Sequence, residues 1–268
     1  MGVSEAPAGE EGHFFSESSQ VAWPDPPWSI SGRTLTAWFD VPRSLLEAVL
    51  PDYLLPPEST GSWARLRFYD AAFRAVGARE LHPLVVREGR FREAVVAFPA
   101  ACGDFLGDST LFMWADSEAY TTWGREVFGW PVLRGAIELG GPLWEPELAA
   151  GAAGHARMSE PRGSAGISAV ELGEQLEHSA PGGCWLTPRR VLHRAGLGGE
   201  TVDVVAVVPR VISAGTSYAA RGEVRLDFPF PHLLHTVDAA DAELKVVDGF
   251  ELVVGEQVHT LPPSRRAR

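Results

Sequence analysis

Few side chains in this chain of 268 residues could do acid/base, nucleophilic or metal chemistry inside a pocket. Glu93 opens the run Glu93-Ala94-Val95-Val96-Ala97-Phe98. A carboxyl on so apolar a segment is desolvated, burial disfavours its charged form, and such a group suits general acid/base work. Lys245 is the only lysine. Any lysine-based mechanism must use it or none, and its neighbours Glu243 and Asp248 argue against the buried, neutral amine that imine chemistry needs. His232-x-x-His235, with Asp238 or Asp241 nearby, offers metal-ligand residue types. Pro229 and Pro231 oppose a regular helix there, and structural or surface histidines are the plainer reading, so no metal is expected. Cys102 and Cys184 are far apart and have no CxxC partner, which fits free thiols in a reducing cytoplasm.

These groups have to be held by strands. The chain carries 28 glycines and 21 prolines, which cut it into short apolar or alternating runs, the pattern of a mainly β protein. Residues 34–39 alternate. Residues 63–69 alternate too, with Arg65 and Arg67 on the face opposite Leu66 and Phe68. Residues 93–98 and 111–114 read as further strands, and the β-branched runs 202–208 and 246–254 as two more. Helical signals are few. Residues 42–50 fit a short helix opened by Pro42. Residues 117–127 fit a second, with Asp116 or Ser117 as N-cap and Gly129 beyond its end. Residues 167–176 suit a third. Residues 149–166 are Gly/Ala/Ser-rich and fit either a loop or weak strands.

Composition narrows the function classes. At 45% hydrophobic and 22% charged, the chain is an ordinary globular one with ample material for a core. A net charge of −12 weighs against a nucleic-acid surface, because phosphate binding needs clustered cations. It leaves room for an anionic small molecule held by one or two buried arginines. No apolar run approaches ~18 residues, so no membrane span is expected, and no secretion signal is visible. The expected organisation is a solvated leader over 1–20, one domain over 21–261 and a flexible tail over 262–268.

The segment Trp123-Gly124-Arg125-Glu126-Val127-Phe128-Gly129-Trp130-Pro131-Val132 resembles the signature of the acetoacetate decarboxylase family. There Gly-Arg-Glu is followed by an aromatic, a proline and the lysine that forms a Schiff base with the substrate ketone. Phe91-Arg92-Glu93 resembles that family's Tyr-x-Glu strand, and the spacing from Glu93 to Arg125 matches without a gap. Ser31-Gly32-Arg33 resembles the entry of a pocket arginine into the first strand. Arg221-Gly222-Glu223-Val224-Arg225-Leu226, then Pro231-His232, resembles the last strands more loosely. The likeness spans roughly residues 25 to 260. It implies an acetoacetate decarboxylase-like antiparallel β-barrel with a few short helices, assembled as a homo-oligomer.

Three departures decide the chemistry. Val132 stands where the family has its nucleophilic lysine, and Leu133 where a second lysine lowers the first one's pKa, the activation device for which acetoacetate decarboxylase is the standard example. Arg67 takes the place of a second pocket glutamate. Valine has no lone pair, so the imine route is closed at this position. By resemblance, Glu93 is the acid/base and Arg33 the anchor for a substrate carboxylate or enolate, with Glu93 paired to Arg33 as the purely structural alternative. Arg67, Arg125, Trp114, Trp130 and Val132 are the candidate substrate-binding residues, with core packing or helix bracing as the alternative for Arg125 and the tryptophans. The aromatic content suits a large, flat substrate. The functional expectation is a cofactor-free enzyme of specialised, polyketide-like metabolism. It would perform cyclisation, dehydration or isomerisation on a small molecule with a β-keto or enolisable group. A non-catalytic binder of an apolar carboxylate, or a decarboxylase using a non-imine route, are the alternatives.

Overall fold

A computed structural model describes residues 28–58, 63–75, 88–128, 130–160, 163–176, 185–192, 200–207, 210–227, 250–261 and 265–266. In chain order these form β1 (Trp28–Asp40), α1 (Arg43–Val49), β2 (Trp63–Ala75), β3 (Glu88–Cys102), β4 (Phe105–Ala115), α2 (Glu118–Phe128), β5 (Val132–Arg134) and β6 (Ala136–Gly140). A 3-10 turn, Pro142–Trp144, follows. Then come β7 (Ala153–Glu160), β8 (Gly163–Leu176), β9 (Trp185–Leu192), β10 (Glu200–Val207), β11 (Arg210–Asp227), β12 (Phe250–Leu261) and β13 (Arg265–Arg266). The architecture is mainly β, as expected. Two residues of the expected tail, Arg265 and Arg266, pair with β10.

One sheet runs in the order β13-β10-β9-β4-β3-β2-β1-β12-β11-β8-β7-β6, with β5 paired to β4. All of its long pairings are antiparallel. The sheet curls, so that strands far apart in this order meet: Arg92 on β3 donates to the Ile137 carbonyl on β6 at 3.4 Å.

Side-chain alternation divides the buried residues between the two faces of β1–β4. On one face Leu35, Ala37 and Phe39 of β1, Leu66 and Phe68 of β2 and Val96 and Phe98 of β3 pack against Ile137, Met158, Ile167, Val170 and Val224. On the other, Trp28, Ile30, Tyr69, Phe73, Phe91, Val95 and Met113 pack against α2 through Tyr120 and Trp123, and against Trp130 and Val132. The helix lies here because its apolar residues Tyr120 and Trp123 are one turn apart and share one stripe.

Residues 167–176, expected as a helix, are strand β8. Ala165, Ile167, Val170 and Leu172 are its buried residues. The pairing register with β11 shifts between Ser168 and Glu171, and Ala169 takes a positive φ of 50°. This bulge converts a period of two into an i, i+3 spacing that imitates a helix. Residues 153–160 of the weakly patterned stretch form β7, hairpinned onto β8. No helix among the described residues is long and apolar enough to cross a membrane.

Candidate active site

The pocket lies between the α2-facing side of the sheet and α2 itself. Strand register decides which side chains reach it. Thr34, Tyr69 and Glu93 are partners across β1, β2 and β3, and so are Thr36, Arg67 and Val95. Cross-strand partners share a face, so Arg67, Tyr69 and Glu93 project together. Ile30, Arg67, Tyr69, Glu93, Val95, Thr110, Met113, Tyr120 and Trp130 line a small pocket.

Glu93 is its centre. The carboxylate is buried, 1% exposed. Arg67 Nη2 donates to Glu93 Oε1 at 2.8 Å, and the Tyr120 hydroxyl donates to Glu93 Oε2 at 2.5 Å. Both oxygens are therefore engaged by donors from β2 and α2. The Tyr120 ring is fixed in turn by stacking on Phe91, with centroids 3.6 Å apart. Burial pushes the Tyr120 phenol well above its ordinary range, and the charge of Glu93 adds to this. Burial likewise raises Tyr69. Burial opposes the charge on Arg67, but the adjoining Glu93 carboxylate outweighs it and holds the guanidinium ionised.

A second ion pair lies beside the first. Arg65 Nη2 is 2.6 Å from Asp108 Oδ2, and the Arg65 guanidinium lies 5.5 Å from the Trp38 ring. Burial lowers Arg65 from its ordinary value, against the pull of Asp108. A β-bulge in β4 makes this arrangement possible. The register to β3 shifts between Phe112 and Thr110, which brings Thr110 and Asp108 round to the pocket side with Met113.

The expected site residues divide. Arg67, Glu93 and Trp130 come together in the pocket. Val132 is fully buried in the same apolar cluster, beside Gly124 and in register with Met113, one layer behind the lining. Arg33 sits on the other face of the sheet. It is in register with Asp70, which pairs in turn with Arg92. Its guanidinium donates to the carbonyls of Leu143 (2.8 Å), Glu145 and Pro146 (3.1 Å), and so clasps the chain around the 3-10 turn. The structure does not bring Arg33 and Glu93 together, because residues 33 and 93 have opposite parity in the paired register. Trp114 is buried on that other face too, stacked on Phe112. Arg125 is exposed on α2. The aromatic residues pack on one another rather than framing a flat cavity. Trp123 stacks on Phe73 and meets Trp28 and Trp130.

Reading the residues alone missed Tyr69 and Tyr120. Tyr69 was accessible, since it shares parity with Arg67 in the alternating run 63–69. Tyr120 was accessible as the residue one turn before Trp123. Thr110 and Asp108 were not, because nothing in residues 108–113 signals the bulge. Among the described residues no three potential metal ligands cluster. Lys245, His232, His235, Asp238, Asp241 and Cys184 fall outside the described residues.

Solved structures set this geometry in context. The enduracididine biosynthesis enzyme MppR, in its complex with pyruvate, superposes with a TM-score of 0.69 at 16% identity, covering 94% of this chain and 93% of that one. An acetoacetate decarboxylase-like enzyme from Sphingomonas wittichii RW1 superposes with a TM-score of 0.66 at 19% identity, covering 95% and 97%. The acetoacetate decarboxylase of Legionella pneumophila gives 0.61 at 14%, covering 98% and 97%. The chain has the acetoacetate decarboxylase-like fold. No protein-family model and no curated protein matches the sequence. Within this acetoacetate decarboxylase-like frame, the carboxylate of the Phe91-Arg92-Glu93 strand faces an arginine and a tyrosine, with valine at the end of the Trp130-Pro131-Val132 segment.

Proposed function

We propose that the protein is a cofactor-free acid/base enzyme of specialised metabolism acting on a small enolisable keto acid. The observation that carries this reading is the Glu93 carboxylate, buried at a pocket and held between Arg67 and Tyr120. Glu93 removes a proton from the carbon next to the ketone. The C–H electron pair moves into the carbonyl, and the enolate oxygen is stabilised by the Arg67 guanidinium. Return of the proton to a different atom gives isomerisation. Loss of a β-hydroxyl from the enolate gives dehydration, and attack of the enolate carbon on a second carbonyl gives aldol-type closure. Tyr120 stays protonated and passes or orients the proton at Glu93 Oε2. The binding of pyruvate, and of a condensation product of pyruvate and an aldehyde, by the structurally similar MppR supports a small keto acid as the substrate class. Val132 leaves this segment without an amine, so no Schiff base forms there.

The test is solvent-deuterium exchange at the carbon next to the ketone in a panel of small keto acids, followed by NMR. A parallel borohydride treatment is followed by intact mass. Exchange without a covalent adduct is expected. An adduct mapped to Lys245, the one lysine, would place an amine in the chemistry and overturn the reading. A second reading, a binder without turnover, is favoured by the hydrogen bonds that both Glu93 oxygens already accept. Saturable keto acid binding with no exchange would select it.

A further inference from the structure

We infer that Thr110 selects the far end of the substrate, so that the pocket takes a small keto acid carrying a hydroxyl at the end of its chain remote from the ketone. The inference rests on the acid/base reading of the same pocket and names its substrate class more closely. Strand register gives the pocket a long axis. Along β3, Glu93, Val95 and Ala97 face the same side. Tyr69 stands opposite Glu93. Arg67 on β2 and Met113 on β4 stand on either side of Val95, and Thr110 stands opposite Ala97. Arg67, Tyr69 and Tyr120 thus gather round Glu93 at one end. Val95 and Met113 make the middle apolar, and Thr110 brings a hydroxyl to the other end. A polar head, a short apolar middle and a single hydroxyl describe the shape of a ligand with the same three parts.

The hydroxyl is there because β4 bulges. Val96 pairs with Phe112 and Ala97 with Thr110, so one extra residue, Leu111, interrupts the ladder. Without it Ala97 would pair with Leu111, and an aliphatic residue would take the place of Thr110. A bulge gives up ladder pairing and recurs beside active sites, where it re-aims a side chain. Thr110 is half-buried and lines the pocket. Asp108, re-aimed by the same bulge, is occupied by Arg65, which stands across Ala97 from Thr110. Arg67 and Thr110 lie two strands and one residue pair apart, roughly 12 Å at the backbone. Their own side chains and a hydrogen bond at each end take up part of that gap, and a chain of about four to six atoms spans the rest. A threonine hydroxyl both donates and accepts, which matches an alcohol at the chain end.

Calorimetry with two unreactive carboxylates, 4-hydroxybutanoate and pentanoate, isolates this contact, because they have the same length and differ only in a terminal hydroxyl against a methyl. The ratio of their affinities, hydroxylated over aliphatic, is expected to be at least about fivefold higher in the wild type than in Thr110→Val, the worth of one neutral hydrogen bond. Valine keeps the shape and strand preference of threonine, so the change removes the hydroxyl alone. Thr110→Ser keeps the hydroxyl and keeps the preference, which a role in packing the methyl group would not. A ratio unchanged by Thr110→Val, a ratio lost equally in Thr110→Ser, or failure of both carboxylates to bind overturns the inference. A Thr110-dependent preference in a protein that exchanges no keto acid protons supports Thr110 as the selector and removes the enzymatic reading. Exchange without the preference does the reverse.

Discussion

Replacing Arg67 with methionine removes the cation from a carboxylate that is 1% exposed, while preserving most of the side-chain volume. Breaking one side of a buried ion pair costs about 3–5 kcal/mol, because the remaining charge has neither water nor a partner. Here Tyr120 still donates to Glu93 Oε2, so the lower end, about 3 kcal/mol, is the expected loss. For a chain of this size that is a melting-temperature drop of roughly 6–12 °C. Adding Glu93→Gln to the variant removes the stranded charge and should restore at least about 1 kcal/mol. Thermal and urea unfolding of the four proteins of this cycle supply the numbers. If Arg67→Met lies within about 1 kcal/mol of wild type, the usual worth of a solvated surface pair, the pair is not a buried one and the pocket geometry fails.

Three other outcomes follow from the same structure. Gly124→Ala should destabilise by about 1–3 kcal/mol by overpacking, because its Cβ would lie 2.8 Å from Val132 Cγ2 and 3.3 Å from the Trp130 ring; unfolding curves check it, and Val132→Ala in the same chain should relieve it. Tyr69 and Tyr120 ionise above the ordinary tyrosine range because they are buried, so their stabilising contribution is complete below about pH 10 and is lost as pH rises further; absorbance titration should show these two phenols ionising only with unfolding. Arg33→Ala should cost about 1–3 kcal/mol through the carbonyls of Leu143, Glu145 and Pro146, while lowering keto acid exchange far less than Arg67→Met does; an equal loss of exchange in the two variants would put Arg33 back at the reacting centre.

Much of the fold was legible in the residues. Alternation over 34–39 and 63–69 and the apolar run 93–98 marked three adjacent strands, and Pro42 and Ser117 marked the starts of both described helices. The strand β8 was misread because its bulge at Ala169 gives buried positions a helical spacing. Residue types pointed to Glu93, and resemblance pointed to Arg67 and Trp130 beside it but also to Arg33, which lies on the other face. What neither fixed was register. Arg33 and Arg67 look equivalent as arginines on neighbouring strands, yet pairing of Arg33 with Asp70 and of Arg67 with Val95 sends them to opposite faces. Register depends on loop geometry and on which apolar set is buried, and a one-residue error exchanges every partner. The pairing of Asp108 with Arg65 was hidden for the same reason, since the bulge near Leu111 inverts parity within β4.

The central claim is that Glu93, rather than an amine, moves the proton. The most direct measurement is the rate of deuterium incorporation from solvent into a small keto acid by the wild type and by Glu93→Gln, at equal concentrations of folded protein. A drop of about 10²–10⁴-fold is expected, the usual contribution of one positioned acid/base group. Incorporation by Glu93→Gln at the wild-type rate would contradict the account.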